Sequence, residues 1–173
     1  MNNNFKSHKK QAGAILFVSL IMLLLMTLLG ISGMQTTVLE ERMAGNFKDR
    51  NMSLQAAESA LREAEEYLRV TPILPSFTDG ILGHYQPTTA GAARWDTITN
   101  WSDPANGAIS YTGKLDGIAS PPAYIVEELP TITESGGSLE TGVAVQNRYY
   151  RITTNAVGGT NTAVVMLQST YKR

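Results

Sequence analysis

The sequence predicts an α+β fold, in which one long N-terminal helix packs against a C-terminal antiparallel β-sheet. The helix is indicated by the absence of proline before Pro72 and by apolar residues that recur at helical spacing up to that point. The sheet is indicated by three segments with β-strand composition in the C-terminal part of the chain. Because these strands follow the helix and do not alternate with helices, the pattern argues against an α/β fold.

The N-terminal half of the predicted helix is a candidate membrane span. The segment from Gln11 to Leu39 carries no charge, and it follows a basic segment from Lys6 to Lys10. A helix needs about 20 apolar residues to cross a bilayer. Basic residues tend to remain in the cytoplasm, which places the bulk of the chain on the far side of the membrane. Residues 1–13 are therefore predicted to be a cytoplasmic leader, and residues 14–34 a transmembrane helix.

Three fates of this segment are compatible with the residues. It could be a permanent signal anchor, or a secretory signal that is cut at the small-x-small sequence Gly30-Ile31-Ser32. It could also be cut on the cytoplasmic side, between Gly13 and Ala14, which would leave the apolar segment as the new N-terminus. The secretory alternative is weakened because the helical pattern continues well beyond Ser32 without a polar, turn-rich break.

Residues 35–70 are predicted to continue the helix as an amphipathic segment. Apolar side chains recur at spacings of three, four or seven residues, and charged side chains occupy the opposite face. The apolar positions are Met43, Phe47, Leu54, Ala57, Leu61, Ala64 and Leu68. Thr71-Pro72 should end the helix, because the residue before a proline is pushed out of helical geometry. We expect the apolar face to pack on the sheet, with Leu54, Leu61 and Leu68 buried.

Residues 71–173 are predicted to form a loop-rich region followed by the sheet. Proline and glycine interrupt the chain repeatedly as far as Pro122. The predicted strands are Tyr124 to Leu129, Val143 to Val157 and Thr162 to Tyr171. The intervening Gly158-Gly159-Thr160-Asn161 suits a tight antiparallel hairpin. The chain has no cysteine, so its stability must come from packing the sheet on the helix without a disulfide.

The sequence gives no sign of catalysis or of nucleic-acid binding. The formal net charge is −1, and no basic patch is present. Outside the leader the only histidine is His84, which argues against a zinc site in a chain without cysteine. A nucleophile elbow and a phosphate-binding loop are both absent. We therefore predict a protein that is not an enzyme and that uses no metal or cofactor.

Two alternatives concern the region around the tryptophans. Asp96, Asp103 and Asn106 flank a predicted turn, and their spacing fits solvated carboxylates better than the regular oxygen ligands of a calcium loop. Trp95 and Trp101 could form a platform for a sugar or a partner. Burial of both rings as anchors for a loop-rich segment is the favoured interpretation, because aromatic burial contributes strongly to stability.

The N-terminal residues resemble those of type IV pilins and type II secretion pseudopilins, which have a short basic leader ending in glycine before an apolar helix. They are most similar to PilX-type minor pilins, and this resemblance covers residues 10–70 and 121–173, but not the region between Pro72 and Ser120. The signature positions are Glu41, Arg42, Met43, Ala44, Gly45, Asn46, Asp49, Arg50, Gln55, Ala56, Ala57 and Glu58. The segments Pro121 to Glu128, Tyr150 to Thr153 and Val165 to Arg173 resemble the C-terminal part of the same proteins.

This resemblance implies a pilin-like fold and a structural role in pilus assembly. A prepilin peptidase would cut between Gly13 and Ala14, and Ala14 would be N-methylated. The expected partners are the inner membrane and other minor pilins and pilin subunits, contacted through the N-terminal helix, with no nucleic acid. The C-terminal domain would be periplasmic and would reach the pilus after assembly, where it would support adhesion and twitching motility.

One position departs from the general pilin pattern. Major pilins carry glutamate at the fifth mature position, where it is thought to pair with the N-terminal amine of a neighbouring subunit. Counted from Ala14, this chain has Val18 there. A buried carboxylate is unfavourable unless it is paired, so its absence fits a subunit with nothing ahead of it, at the filament tip. The alternatives are a GspK-type pseudopilin, which also lacks this glutamate, and a membrane-anchored periplasmic binding domain with the helix as a stalk.

Overall fold

The computed structural model describes residues 13–78, 82–88, 91–101, 103, 107–130 and 147–173. The chain divides into two compact units, Met1–Gly45 and Asn46–Arg173. The leader apart from Gly13, and residues 143–146 at the start of the second predicted strand, lie outside the described residues. The elements in chain order are α1 (Ala14–Val70), β1 (His84–Tyr85), α2 (Arg94–Thr97), β2 (Ile109–Ser110), β3 (Ala123–Glu128), β4 (Tyr149–Val157) and β5 (Val164–Lys172).

Helix α1 ends where the sequence predicts, at Val70. The backbone N–H of Thr71 donates to the carbonyl of Tyr67 at 3.1 Å, after which Pro72 prevents another turn. The guanidinium of Arg173 donates to the carbonyl oxygens of Thr71 and Pro72, at 2.7 and 3.2 Å. A cation at this position also interacts favourably with the negative end of the helix dipole. The C-terminal residue of the chain is thus tied to the end of the helix.

The α+β fold is confirmed, with a sheet in the order β1-β3-β4-β5. Strand β3 pairs antiparallel with β4, β4 pairs antiparallel with β5, and Ile152 lies opposite Val126 on one side and Ser169 on the other. Two short strands that the sequence did not reveal complete the sheet at β3. Strand β2 pairs with it antiparallel and β1 pairs with it parallel, which makes the sheet mixed. Two-residue strands leave no alternating pattern from which to predict them.

The second half of α1 packs on one face of the sheet through small side chains. The buried residues of the helix are Ser53, Ala56, Ala57, Ala60, Ala64 and Leu68. The main core cluster joins Ala60, Ala64 and Leu68 with Phe77, Tyr124, Val126, Tyr150 and Ile152. A second contact joins Ala56 and Ala57 with Ala156 of β4. Large aromatic side chains on the sheet fill this interface, so the helix contributes mainly alanine.

The predicted burial of the three leucines is correct for only one of them. Leu68 is fully buried, whereas Leu61 is partly buried and Leu54 is 39% exposed. Phe47, on the same predicted apolar face, is also exposed. The helix therefore turns its alanine stripe to the sheet and leaves part of its large apolar stripe uncovered. Ala57 and Ala64 of the predicted face are buried, but the face is centred on their small neighbours Ser53, Ala56 and Ala60, and not on the large leucines.

Some described residues between α1 and β3 pack on the opposite face of the sheet. Side chains alternate along β3, so Ala123 and Ile125 point away from the helix. They pack with Tyr85, Ile98 and Ala108 in a second buried cluster, against which Trp101 lies partly buried. This contact agrees with the anchoring role predicted for Trp101. Trp95, in contrast, is 37% exposed and does not belong to that cluster.

Candidate functional site

The most prominent functional feature of the first unit is an exposed apolar helix. The most apolar 18-residue window of α1 has a mean hydropathy of 2.8, and none of it is buried. Exposed side chains include Ile15, Leu16, Phe17, Leu23, Met26 and Leu29. By length and composition, this is a helix that could cross a membrane. So large an apolar surface is unfavourable in water and must be covered by lipid or by other helices.

The hydroxyl groups in this segment are satisfied within the helix itself. Ser19, Thr27 and Ser32 donate to backbone carbonyl oxygens three or four residues earlier, at 2.8, 2.8 and 2.9 Å. In hydrocarbon, a polar group without a partner would be costly. These residues are therefore compatible with a lipid or helix-packed environment, and they do not interrupt the apolar segment.

The predicted processing junction lies at the start of α1. Gly13 is an exposed bend, and Ala14 is the first helical residue. A side-chain carbon added at Gly13 would have no neighbour within 4 Å. Val18, at the fifth position from Ala14, is 53% exposed. The bond between Gly13 and Ala14 therefore lies in an exposed bend.

The first half of the predicted signature lies along the exposed surface of α1. Its members Glu41, Arg42, Met43, Ala44, Gly45 and Asn46 are all exposed. Arg42 also lines a shallow, mainly apolar groove with Ile31, Met34, Val38 and Leu39. An exposed groove of this kind, continuous with an apolar helix, is a surface on which another helix could pack.

The second half of the signature joins the helix to the β4–β5 hairpin, and Asp49 makes the most specific contact. Its carboxylate accepts hydrogen bonds from the hydroxyl of Thr160 and from the backbone N–H of Thr160, the latter at 3.2 Å. These bonds, with a smaller contribution from the N–H of Gly159, lower the pKa of Asp49. A side chain at Gly158 would overlap the backbone carbonyl of Asp49, so this close approach requires glycine.

One turn further along, the helix contacts the end of β4. The hydroxyl of Ser53 donates to the carbonyl oxygen of Ala156 at 2.9 Å, and both groups are buried. Ala56 and Ala57, which belong to the signature, pack against Ala156. The structure thus brings Asp49, Ala56 and Ala57 together around the hairpin. It gives these signature residues a shared structural role that the sequence resemblance alone does not explain.

The remaining signature residues stay on the outer surface of the helix. Gln55 donates to Asn51 at 3.1 Å, and Glu58 pairs with Arg62 at 3.2 Å. Arg50 is exposed. Because these contacts lie one turn apart on the same helix, they support the helix locally and leave its outer face available.

Several residues that hold the helix on the sheet region were not predicted from the sequence. Glu63 accepts from the backbone N–H and the hydroxyl of Thr112, the hydroxyl at 2.9 Å, and Glu65 accepts from Ser169 at 3.1 Å. Their place on a charged helix face gave no hint of these distant partners. For Ser53 a signal was present. Small residues recur at positions 53, 56, 57, 60 and 64, a spacing that marks one face of a helix.

Glu127 of β3 is a buried carboxylate on the sheet face away from α1. Its side chain is 1% exposed, and neither oxygen has a hydrogen-bond partner among the described residues. The guanidinium of Arg151 forms an ion pair with this carboxylate, with an Nη1 to Oε2 distance of 3.8 Å. Burial raises the pKa of Glu127, although the positive charges of Arg151 and Arg94 act in the opposite direction. Protonation of Glu127 is therefore more favourable in the folded protein than in the unfolded chain.

This environment predicts a pH-dependent effect of Glu127→Gln. A raised folded-state pKa means that ionisation of Glu127 destabilises the native protein as the pH rises above the ordinary range of a glutamate. The amide of Glu127→Gln cannot ionise, so the free energy of unfolding of the variant relative to wild type should rise from acidic pH to pH 7, by about 1.4 kcal/mol for each unit by which folding raises the pKa of Glu127. Thermal unfolding of the full chain in detergent between pH 4 and pH 8 measures this.

The neighbouring Glu128→Gln is the matched control, because its carboxylate is partly exposed and lies 3.9 Å from Arg148. It should change stability by less than about 0.5 kcal/mol across the same range. If the stability of Glu127→Gln relative to wild type instead falls between pH 4 and pH 8, ionisation of Glu127 beside Arg151 stabilises the native protein and the account of Glu127 is wrong.

The described residues form no candidate metal-binding cluster. In these ranges, no three His, Cys, Asp or Glu side chains gather where they could hold a metal ion. Asn106, which belonged to the alternative of a calcium-binding loop, lies outside the described residues. His84 bonds to the hydroxyl of Tyr67 at 3.0 Å and packs edge-on against Phe77, with ring centroids 5.1 Å apart. His84 thus has contacts typical of a core histidine.

Comparison with known proteins gives two matches that together cover most of the chain. Residues 12–62 match the family described as PilX N-terminal. Residues 75–173 match the family described as type IV pilus assembly protein PilX C-term. No curated protein and no solved structure matches the chain. The two matched segments correspond to the exposed helix with its hairpin contacts and to the sheet region.

Proposed function

This chain belongs to the PilX family of type IV pilus assembly proteins and is a minor pilin, and we propose that it acts at or near the filament tip, in the complex that starts assembly. The proposal includes cleavage between Gly13 and Ala14 by a prepilin peptidase, N-methylation of Ala14, and a periplasmic C-terminal domain before assembly. Its role is structural and not catalytic.

The observation that carries the tip position is the residue at the fifth position from Ala14. Val18 is an exposed valine in a segment without any charge. A pilin with glutamate here can offer a carboxylate to the amine of the subunit ahead, and this chain cannot. In an apolar layer an unpaired amine or carboxylate is strongly unfavourable, so such a subunit fits best where no subunit lies ahead of it.

The exposed surface of α1 supports incorporation through the helix. The apolar residues of its first half have no partner within the described chain that would shield them from water. Downstream, Met43 is 56% exposed and Phe47 is 73% exposed. A stalk that only anchors a binding domain needs no large apolar side chains beyond the bilayer. Helices of other pilin subunits would cover them, and Glu58 and Arg62 would remain on the polar surface.

Deletion of the protein tests the proposed role. An initiator acts once per filament, so we expect fewer filaments with an unchanged length distribution, which electron microscopy of whole cells can measure. The wild-type gene should restore the number. A gene carrying Val18→Glu should restore the filament number no better than the wild-type gene, because no amine is available at this position to pair with the new carboxylate. The unpaired carboxylate should destabilise the helix in the membrane by up to about 3 kcal/mol.

Two results would contradict the tip assignment. One is a loss of filament length with an unchanged filament number. The other is immunogold labelling distributed evenly along the shafts at high copy number. If deletion changes neither the number nor the length of the filaments, the role in pilus assembly itself fails.

A further inference from the structure

Strand β5 is the outer strand of the sheet. Within the part of the chain that the structure describes, it pairs only with β4. It is nine residues long, and its side chains alternate between exposed and half-buried along its whole length. Natural proteins protect long edge strands with proline, a bulge or charged side chains. The nine residues of β5 carry one charge, at the last position, Lys172. Strand β5 contains no proline, and its register with β4 runs without a bulge from Val164 to Lys172.

The alternation of hydrogen-bonded and non-hydrogen-bonded pairs between β4 and β5 shows which backbone groups of β5 point outward. Arg148 and Arg173 exchange two backbone hydrogen bonds, at 3.2 and 2.9 Å, and at the other end of the hairpin Gly158 donates to Ala163 at 3.0 Å. Antiparallel pairs alternate between bonded and non-bonded positions. The odd-numbered residues of β5 therefore bond to β4. The outward N–H and C=O groups belong to the even-numbered residues, which include Val164, Met166, Gln168 and Thr170.

The side chains along this edge differ in chemical character between its two ends. Those of the odd-numbered residues face α1, as the bond from Ser169 to Glu65 shows. On the other face, Val164 is 51% exposed and Met166 is 38% exposed. The strand then continues through polar residues to Lys172, whose ammonium group lies 5.8 Å from the centroid of the Tyr149 ring. The edge is thus apolar at its start and positively charged at its end.

We propose that the outer edge of β5 accepts an added β-strand from another pilin-type subunit of the assembly complex. Main-chain hydrogen bonds to the even-numbered residues would hold this strand, as in other cases of strand addition. Its side chains would be apolar beside Val164 and Met166 and acidic beside Lys172. The identity of the partner as a pilus subunit rests on the proposed function.

A second copy of this chain fits the edge less well. Paired in parallel, two β5 strands would bring Lys172 next to the same residue of the copy, and like charges at this distance are destabilising. Paired antiparallel about Gln168, they would place Lys172 opposite the apolar Val164, so no opposite charges would meet. A different chain, with a strand that is apolar at one end and acidic at the other, would complement both ends of β5.

Photocrosslinking from the full-length protein in native membranes tests the occupant. A photoreactive amino acid in place of Gln168 should crosslink to a second pilin-type subunit, identified by mass spectrometry of the linked peptides. The same group in place of Ser169, which points towards the helix, should not. A link to a second copy of this chain, a link to its own residues 131–146, or no link at all would overturn the proposal.

A proline variant tests the backbone contribution. Gln168→Pro removes an outward N–H that β4 does not use, and proline is tolerated on edge strands. Co-purification of the partner subunit should fall about tenfold or more, because added-strand hydrogen bonds are lost. Gln168→Ala keeps the N–H and should co-purify the partner normally. Unchanged co-purification by Gln168→Pro would overturn the proposal. Circular dichroism and thermal melting establish that the variant is folded.

These results separate the two proposals. If the wild-type protein co-purifies no pilin-type subunit, the proposed function fails. If the wild type and Gln168→Pro both co-purify the same subunits, only strand addition at β5 fails. Should Gln168→Pro not fold, Lys172→Glu replaces it. Reversal of this charge should weaken the binding of a partner strand that is acidic at this end. An unchanged yield of the co-purified partner would contradict the proposal.

Discussion

A fragment that begins at Pro72 should remain unfolded, whereas one that begins at Thr36 should fold and melt cooperatively. Without α1, one face of the sheet would expose Tyr124, Val126, Tyr150 and Ile152, which pack against the helix in the intact protein. The chain has no cysteine, so no disulfide could compensate. Dispersion of amide signals in nuclear magnetic resonance spectra and thermal melting of the two fragments measure this difference.

A matched pair of substitutions controls for general destabilisation of the helix. Leu68→Ala removes a fully buried side chain and should destabilise the Thr36–Arg173 fragment by about 2–5 kcal/mol. Leu54→Ala removes the same atoms from an exposed position and should have an effect of about 0.5 kcal/mol or less. A well-dispersed, cooperatively melting fragment from Pro72 to Arg173 would show that the sheet does not need the helix.

Replacement of Gly13 by leucine should abolish processing of the precursor. We expect unprocessed protein to accumulate in the membrane fraction, with a filament number as low as in the deletion strain. Nothing in the described chain lies within 4 Å of a side-chain carbon at this position, so Gly13→Leu should not disturb the fold. Immunoblotting resolves the thirteen-residue difference between the two forms.

Ser32→Leu is the corresponding control for the secretory alternative. It removes the small residue of the Gly30-Ile31-Ser32 site and leaves the Gly13–Ala14 junction intact. We expect normal processing of Ser32→Leu. If Ser32→Leu blocks processing and Gly13→Leu does not, the segment is a secretory signal and the pilin proposal fails.

Much of the fold could be predicted because its signals are local. The apolar segment, the stop at Thr71-Pro72 and the alternation along β4 each depend on neighbouring residues in the sequence. The contacts that hold the helix on the sheet were beyond reach, since Asp49 and Thr160 are separated by more than a hundred residues. For the same reason, the packing of the region before β3 on the outer face of the sheet could not be predicted.

The residues of the candidate site could likewise be identified from the sequence, but not the contacts between them. The sequence resemblance identified Asp49, Ala56 and Ala57, but only the structure shows that they surround one hairpin. Burial of Leu54 was predicted from its place on the apolar face of the helix, but the packing face is the neighbouring stripe of small residues. The backbone groups of β5 that point outward are known only from its hydrogen-bonding pattern with β4, which the sequence of β5 alone does not reveal.

The mass and N-terminal residue of the mature protein, isolated from membranes or from purified filaments, test the central claim most directly. The account predicts a chain of residues 14–173 that begins with N-methylated Ala14 and keeps the whole apolar helix. A mature chain that begins at Gly33, or one that keeps Met1 and the leader, would contradict it.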